Sequence, residues 1–175
     1  MKEIKTMNSK NQIILIVVVI LAVLGIALFF GSGKSGSSNA KTQSASVLSA
    51  LENDFDFGTI SMKNGNVSKM FELKNGGTDS IVINKVYTSC MCTEANIIAP
   101  DGESIGPYGM PGHGGGISKA DVEVKPGETV KIEAIFNPAA HGPSGVGLAN
   151  RTVFLETNSS QTPKLELNFK AMVTN

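Results

Sequence analysis

From about residue 54 onward the chain alternates apolar and polar residues with a period of two, a pattern that only β-strands satisfy. The cleanest run sets Leu165, Leu167, Phe169, Ala171 and Val173 against Lys164, Glu166, Asn168, Lys170 and Met172. Successive strand side chains point to opposite faces, so such a run is a strand with one face buried. Val130, Ile132, Ala134 and Phe136 repeat the pattern against Lys131, Glu133 and Ile135, and Val67, Phe71 and Leu73 repeat it against Met70, Glu72 and Lys74. Residues 80–88 are rich in β-branched types, and Val153 and Leu155 lie in a shorter run over 151–157. Turn-forming residues punctuate these runs: Asn64-Gly65, Asn75-Gly76-Gly77, Pro126-Gly127 and Asn158-Ser159-Ser160. No amphipathic helical period of useful length interrupts them. Residues 51–175 are therefore predicted to form one all-β domain, an antiparallel sandwich. The Cys…Trp…Cys arrangement of antibody domains is missing, since the chain has no Trp.

The amino-terminal part follows other rules. Residues 13–30, from Ile13 to Phe30, read IILIVVVILAVLGIALFF and carry no charge. As a helix this run is about 27 Å long, close to the hydrocarbon thickness of a bilayer, and a helix satisfies its own backbone hydrogen bonds in lipid. Lys2, Lys5 and Lys10 precede it, which puts residues 1–12 in the cytoplasm and the β domain outside. A cleaved signal peptide is the rival, but its apolar region is shorter, about 7–15 residues. The run is thus read as an uncleaved single-pass transmembrane anchor. Residues 31–50, dominated by Ser, Gly and Ala, are predicted to be a flexible linker.

Charge is divided along the chain. Residues 1–41 hold five lysines against one glutamate, and residues 42–175 hold ten basic against fourteen acidic residues. An acidic globular part with sparse aromatics excludes nucleic acid as a partner, because that binding needs Lys and Arg against phosphate. No P-loop, G-x-S-x-G, H-E-x-x-H or paired-carboxylate signature is present, and no catalysis is expected.

The residues capable of chemistry are concentrated. The only cysteines, Cys90 and Cys92, end a predicted strand; the only histidines are His113, in a Gly/Pro-rich loop over 101–119, and His141, in a loop over 137–143. Met91 and Met110 lie in the same regions. Thiolate, thioether and imidazole suit Cu(I) or Zn(II), and two residues of a C-x-C on a strand point the same way. The candidate ligands are Cys90, Cys92, His113 and His141, with Met110 as a fifth or a substitute. Other readings stay open: a local C-x-C disulfide, strained at i,i+2 spacing, small buried apolar groups, or a dithiol that exchanges disulfides.

An ordered set of motifs carries a resemblance. Phe55-Asp56-Phe57-Gly58-Thr59-Ile60 opens the domain, followed by Phe71-Glu72-Leu73-Lys74-Asn75-Gly76-Gly77, Ile81-Val82-Ile83, Ser89-Cys90-Met91-Cys92-Thr93 and Lys125-Pro126-Gly127-Glu128. Over about residues 54–173 the chain resembles the bacterial domain of unknown function 1573, a family similar to Hydin-type immunoglobulin-like domains. The resemblance implies a β-sandwich of seven or so strands, extracytoplasmic in bacteria, and no established activity. Two departures stand out. The family commonly has Gly between the cysteines, where this chain has Met91, and the loop around Met110 and His113 resembles an insertion.

The expectation is a membrane-anchored, extracytoplasmic immunoglobulin-like β-sandwich that serves as a non-enzymatic binding module for a protein partner in the cell envelope. A copper- or zinc-binding protein is the first alternative and a thiol redox protein the second.

Overall fold

The computed structural model describes residues 43–112 and 118–175. The expected anchor at 13–30 and most of the expected linker lie outside the described residues, as does His113. Among the described residues no helix is long and apolar enough to cross a membrane.

Among the described residues ten strands form two five-stranded sheets. In one, β1 (Leu48–Ala50), β3 (Val67–Asn75), β8 (Thr129–Phe136), β5 (Thr93–Ile98) and β6 (Ser104–Tyr108) lie side by side in that order. In the other the order is β2 (Asp54–Ser61), β10 (Lys164–Thr174), β9 (Gly147–Thr157), β4 (Ile81–Thr88) and β7 (Lys119–Val124). The inward rows meet in one core. Phe71, Leu73, Val130, Ile132, Ala134, Phe136, Ala95 and Ile97 face Ile81, Ile83, Val86, Val153, Leu155, Leu167, Phe169 and Val173, all of them buried. Each large side chain sealed in this way stabilises the fold by roughly 1.5–3 kcal/mol. The all-β sandwich read from the alternation, immunoglobulin-like as the resemblance implies, is the architecture observed.

Four details depart from the sequence reading. First, the domain begins before residue 51. Part of the expected linker is pinned: Leu48–Ala50 pairs antiparallel with Asn75, Lys74 and Leu73, and Ser44, Ser46 and Leu48 are buried. Small Ser and Ala residues read as a linker by composition, yet they suit an edge segment that must lie close to its neighbour. Second, one pair of strands is parallel, β2 with β10. Nearly the whole domain connects these two strands, so no hairpin constrains their direction.

Third, the strands number ten rather than about seven. Ser104–Tyr108 contains Gly106 and Pro107 and reads as loop, but it is an edge strand, where a missing N–H is tolerated, and it buries Tyr108. Thr93–Ile98 and Lys119–Val124 are also strands. Fourth, β4 contains a bulge between Ile83 and Lys85. The inward phase passes from Ile81 and Ile83 to Val86 and Thr88. Thr88 thus faces inward at the point where the cysteine segment begins.

Candidate metal centre

Topology explains why distant residues meet. β4 pairs with β9 and β5 pairs with β8. The β4–β5 connection crosses from the second sheet to the first, and the β8–β9 connection crosses back. Thr93 at the start of β5 pairs with Phe136 at the end of β8, and Thr88 at the end of β4 pairs with Val153. The two crossovers therefore run side by side at one end of the sandwich. One carries Cys90 and Cys92, the other His141.

The C-x-C motif does not sit on a strand. It forms a turn closed by the Thr93 N–H donating to the Cys90 carbonyl at 3.1 Å. The Thr88 hydroxyl lies 3.0 Å from the Cys90 carbonyl oxygen and 2.9 Å from that of Thr93. The Ser89 N–H donates to the Thr152 carbonyl (3.0 Å) and the Thr152 N–H to the Ser89 hydroxyl (2.9 Å), which ties the turn to β9. Folding back at the turn, not strand alternation, brings both sulfurs to one side. The Cys92 N–H points at the Cys90 sulfur, 3.4 Å away.

The second crossover is equally built. The Asn137 N–H donates to the Cys92 carbonyl (2.9 Å), and the Asn137 side chain accepts from the Ala139 N–H (2.9 Å). Ser144 donates to the His141 carbonyl (2.7 Å). Gly145 leaves room for the imidazole: a Cβ there would lie 3.2 Å from the His141 Cβ and 3.3 Å from the Met62 methyl. The His141 Nε2 is 3.3 Å from the Cys90 sulfur.

The two sulfurs and one imidazole nitrogen all lie within 4.8 Å of one another. Both cysteines are free thiols, so the alternative of a C-x-C disulfide does not describe this state. Cys92 is buried and belongs to the core cluster, while Cys90 is half-buried and His141 is exposed. Of the expected ligands, the fold brings together Cys90, Cys92 and His141. Met110 is half-buried just beyond β6; its neighbour Gly109 accepts from the Thr88 N–H (3.2 Å), two residues before Cys90.

One participant escaped the sequence reading. Arg151, on β9, donates from Nε to the Cys92 sulfur at 2.9 Å. Its guanidinium also lies over the Phe136 ring, 5.6 Å from the centroid. A signal was available. Arg151 is the only arginine in the chain, and it occupies the inward phase of β9 between Ala149 and Val153. A charge in that phase needs a partner.

Electrostatics divides the two thiols. Burial alone would raise Cys90. Hydrogen bonds from the Cys92 thiol, the Cys92 N–H and His141, together with the Arg151 charge, outweigh it and bring the thiol down to about 7. Cys92 moves the other way. Burial raises it, and so does donating its proton to Cys90, against the weaker pull of Arg151 and Thr93. The pair thus releases its first proton from the more exposed sulfur and holds the second. Thiolates and imidazole at this spacing can ligate a soft ion or exchange a disulfide.

Fold and site together define a small immunoglobulin-like β-sandwich with a cluster of two thiols and an imidazole where its sheets cross over. Residues 48–104 match the family described as protein of unknown function DUF1573, so the likeness read from the motifs holds there. That match includes both cysteines and stops short of His141 and Arg151. No curated protein matches the chain in sequence. Among solved structures, a protein of unknown function from Porphyromonas gingivalis W83 is 16% identical, with a TM-score of 0.54, over 77% of this chain and 51% of its own. The chain therefore spans about half the length of that protein. A PapD-like domain of human CEP192 is 13% identical (TM-score 0.45, 77% of this chain and 90% of that domain). The E. coli chaperone DraB is 7% identical (TM-score 0.37, 73% and 55%).

Proposed function

We propose that this protein is a membrane-tethered, extracytoplasmic β-sandwich that binds a soft transition-metal ion through Cys90, Cys92 and His141. The observation that carries the reading is the meeting of two free thiols and an imidazole, with ligand atoms within 4.8 Å of one another, on two crossovers that the topology holds side by side. Such donors fit Cu(I) or Zn(II). The tether is the apolar run at 13–30, and its flanking lysines favour an outward-facing domain.

The test is a titration of the reduced full-length chain with Cu(I) and with Zn(II) against a competing chelator. One-to-one binding is expected, lost in Cys90→Ser/Cys92→Ser and weakened in His141→Ala. Equal uptake by the folded double variant would remove the metal reading.

A second reading, a module that holds a protein partner of the envelope, is favoured by one observation. At the end of the sandwich that carries His141, Val146 is 46%, Leu148 63% and Met172 44% exposed, and Leu148 and Met172 are a cross-strand pair. Apolar strips of this kind are used in protein contacts. A photo-crosslinking residue at position 148 should then capture one defined envelope protein, and cross-linking no better than at the exposed Lys74 would count against it.

A further inference from the structure

We infer that the ion held by Cys90, Cys92 and His141 is monovalent copper, and that Arg151 selects it over zinc. The inference rests on the metal reading above and concerns which ion that site takes. Arg151 is not a swinging surface group. It stands in the inward phase of β9, packs over the Phe136 ring and donates from Nε to the Cys92 sulfur at 2.9 Å. Its charge is therefore fixed beside one of the ligand atoms.

Charge balance then discriminates. Two thiolates and a neutral imidazole carry two negative charges. Cu(I) leaves one, which the guanidinium cancels. Zn(II) cancels both, leaving the guanidinium as an uncompensated positive charge beside a divalent ion in a partly desolvated place. The three ligand atoms of the cluster also suit trigonal Cu(I).

The experiment measures dissociation constants for Cu(I) and Zn(II), anaerobically and on reduced full-length protein, for the wild type, Arg151→Gln and Arg151→Lys. Arg151→Gln should narrow the preference for Cu(I) by about tenfold to a hundredfold, the range for residues that support metal ligands, with Zn(II) gaining. Arg151→Lys, which keeps the charge, should retain most of the preference. An unchanged ratio in folded Arg151→Gln would overturn the inference while leaving metal binding intact; binding of neither ion by the wild type would instead overturn the reading beneath it. Should Arg151→Gln not fold, X-ray absorption on the copper-loaded wild type decides. Two sulfurs and one nitrogen around copper are expected, and a four-coordinate ion overturns the inference.

Discussion

The Nε of Arg151 and the sulfur of Cys92 lie 2.9 Å apart although Arg151 belongs to one sheet and Cys92 leads into the other. The guanidinium reaches across the open end of the sandwich, with the Phe136 ring of the opposite sheet against its face. It closes the core at the end where the crossovers leave it. Replacing it removes a charge-assisted hydrogen bond and a cation–π contact. Arg151→Ala should therefore cost about 1–3 kcal/mol in urea unfolding of the reduced, metal-free protein. A loss within error of zero would mean that the side chain only visits this position.

Cys90 should be the reactive thiol of the pair. Its thiolate is the nucleophile, and its pKa is brought from an ordinary 9.0 down to about 7. In metal-free protein, alkylation of Cys90 should rise with pH, reach half its maximum near pH 7 and level off above it, while Cys92, buried and shifted upward, stays unmodified over that range. His141→Ala removes one of the stabilising hydrogen bonds and should move the midpoint upward. Peptide mass spectrometry after timed alkylation separates the two cysteines, and a Cys90 rate still climbing at pH 9 would contradict the arrangement.

Gly77 holds the amino-terminal edge of the domain in place by having no side chain. A Cβ there would lie 2.1 Å from the Ser46 hydroxyl oxygen and 2.7 Å from the Ser46 Cα. Backbone as well as side chain must move, so Gly77→Ala should displace the segment around Ser46 and β1. Hydrogen exchange should speed up across residues 43–50 while β8, β9 and β10 keep their protection, at a cost of about 1–3 kcal/mol. Unchanged exchange at Val47 and Leu48 would refute it.

Asn75 is a fully buried amide whose hydrogen bonds are all made within the fold. Its Nδ2 donates to the carbonyls of Asp79 and Val124, each at 2.9 Å, and its Oδ1 accepts from the Gly77 N–H at 3.0 Å. It joins the first sheet to the end of β7 in the second. Asn75→Leu keeps the size but leaves the buried Val124 carbonyl, and the part-buried Asp79 carbonyl and Gly77 N–H, without the amide, at a cost of about 1–3 kcal/mol. Thermal unfolding followed by circular dichroism measures it, and a variant as stable as wild type would show that water replaces the amide.

What the chain announces and what it conceals follow from physical range. In β8 and β10 every second side chain is buried, and the alternation of Val130 to Phe136 and Leu167 to Val173 marks those strands in the sequence. β6 is held by backbone pairing at an edge, which Gly106 and Pro107 do not advertise. β1 is held by pairing with β3, and Ser46 just before it approaches Gly77 closely, in a segment that composition alone reads as linker.

For the site, residue type was legible and geometry was not. The rarity of Cys and His in this chain is a sequence property, and it singled out Cys90, Cys92, His113 and His141 from residue type alone. Their spacing implied a strand with two sulfurs on one face, but a turn closed at Thr93 achieves the convergence instead. The sequence by itself determined that the chain forms strands, which faces they bury and which side chains are capable of ligation, because these follow from local periodicity and side-chain chemistry. Only the tertiary structure decided that His141 meets Cys90 and that Arg151 meets Cys92. Those meetings depend on β4 lying beside β9 and β5 beside β8, a pairing set by packing the whole core.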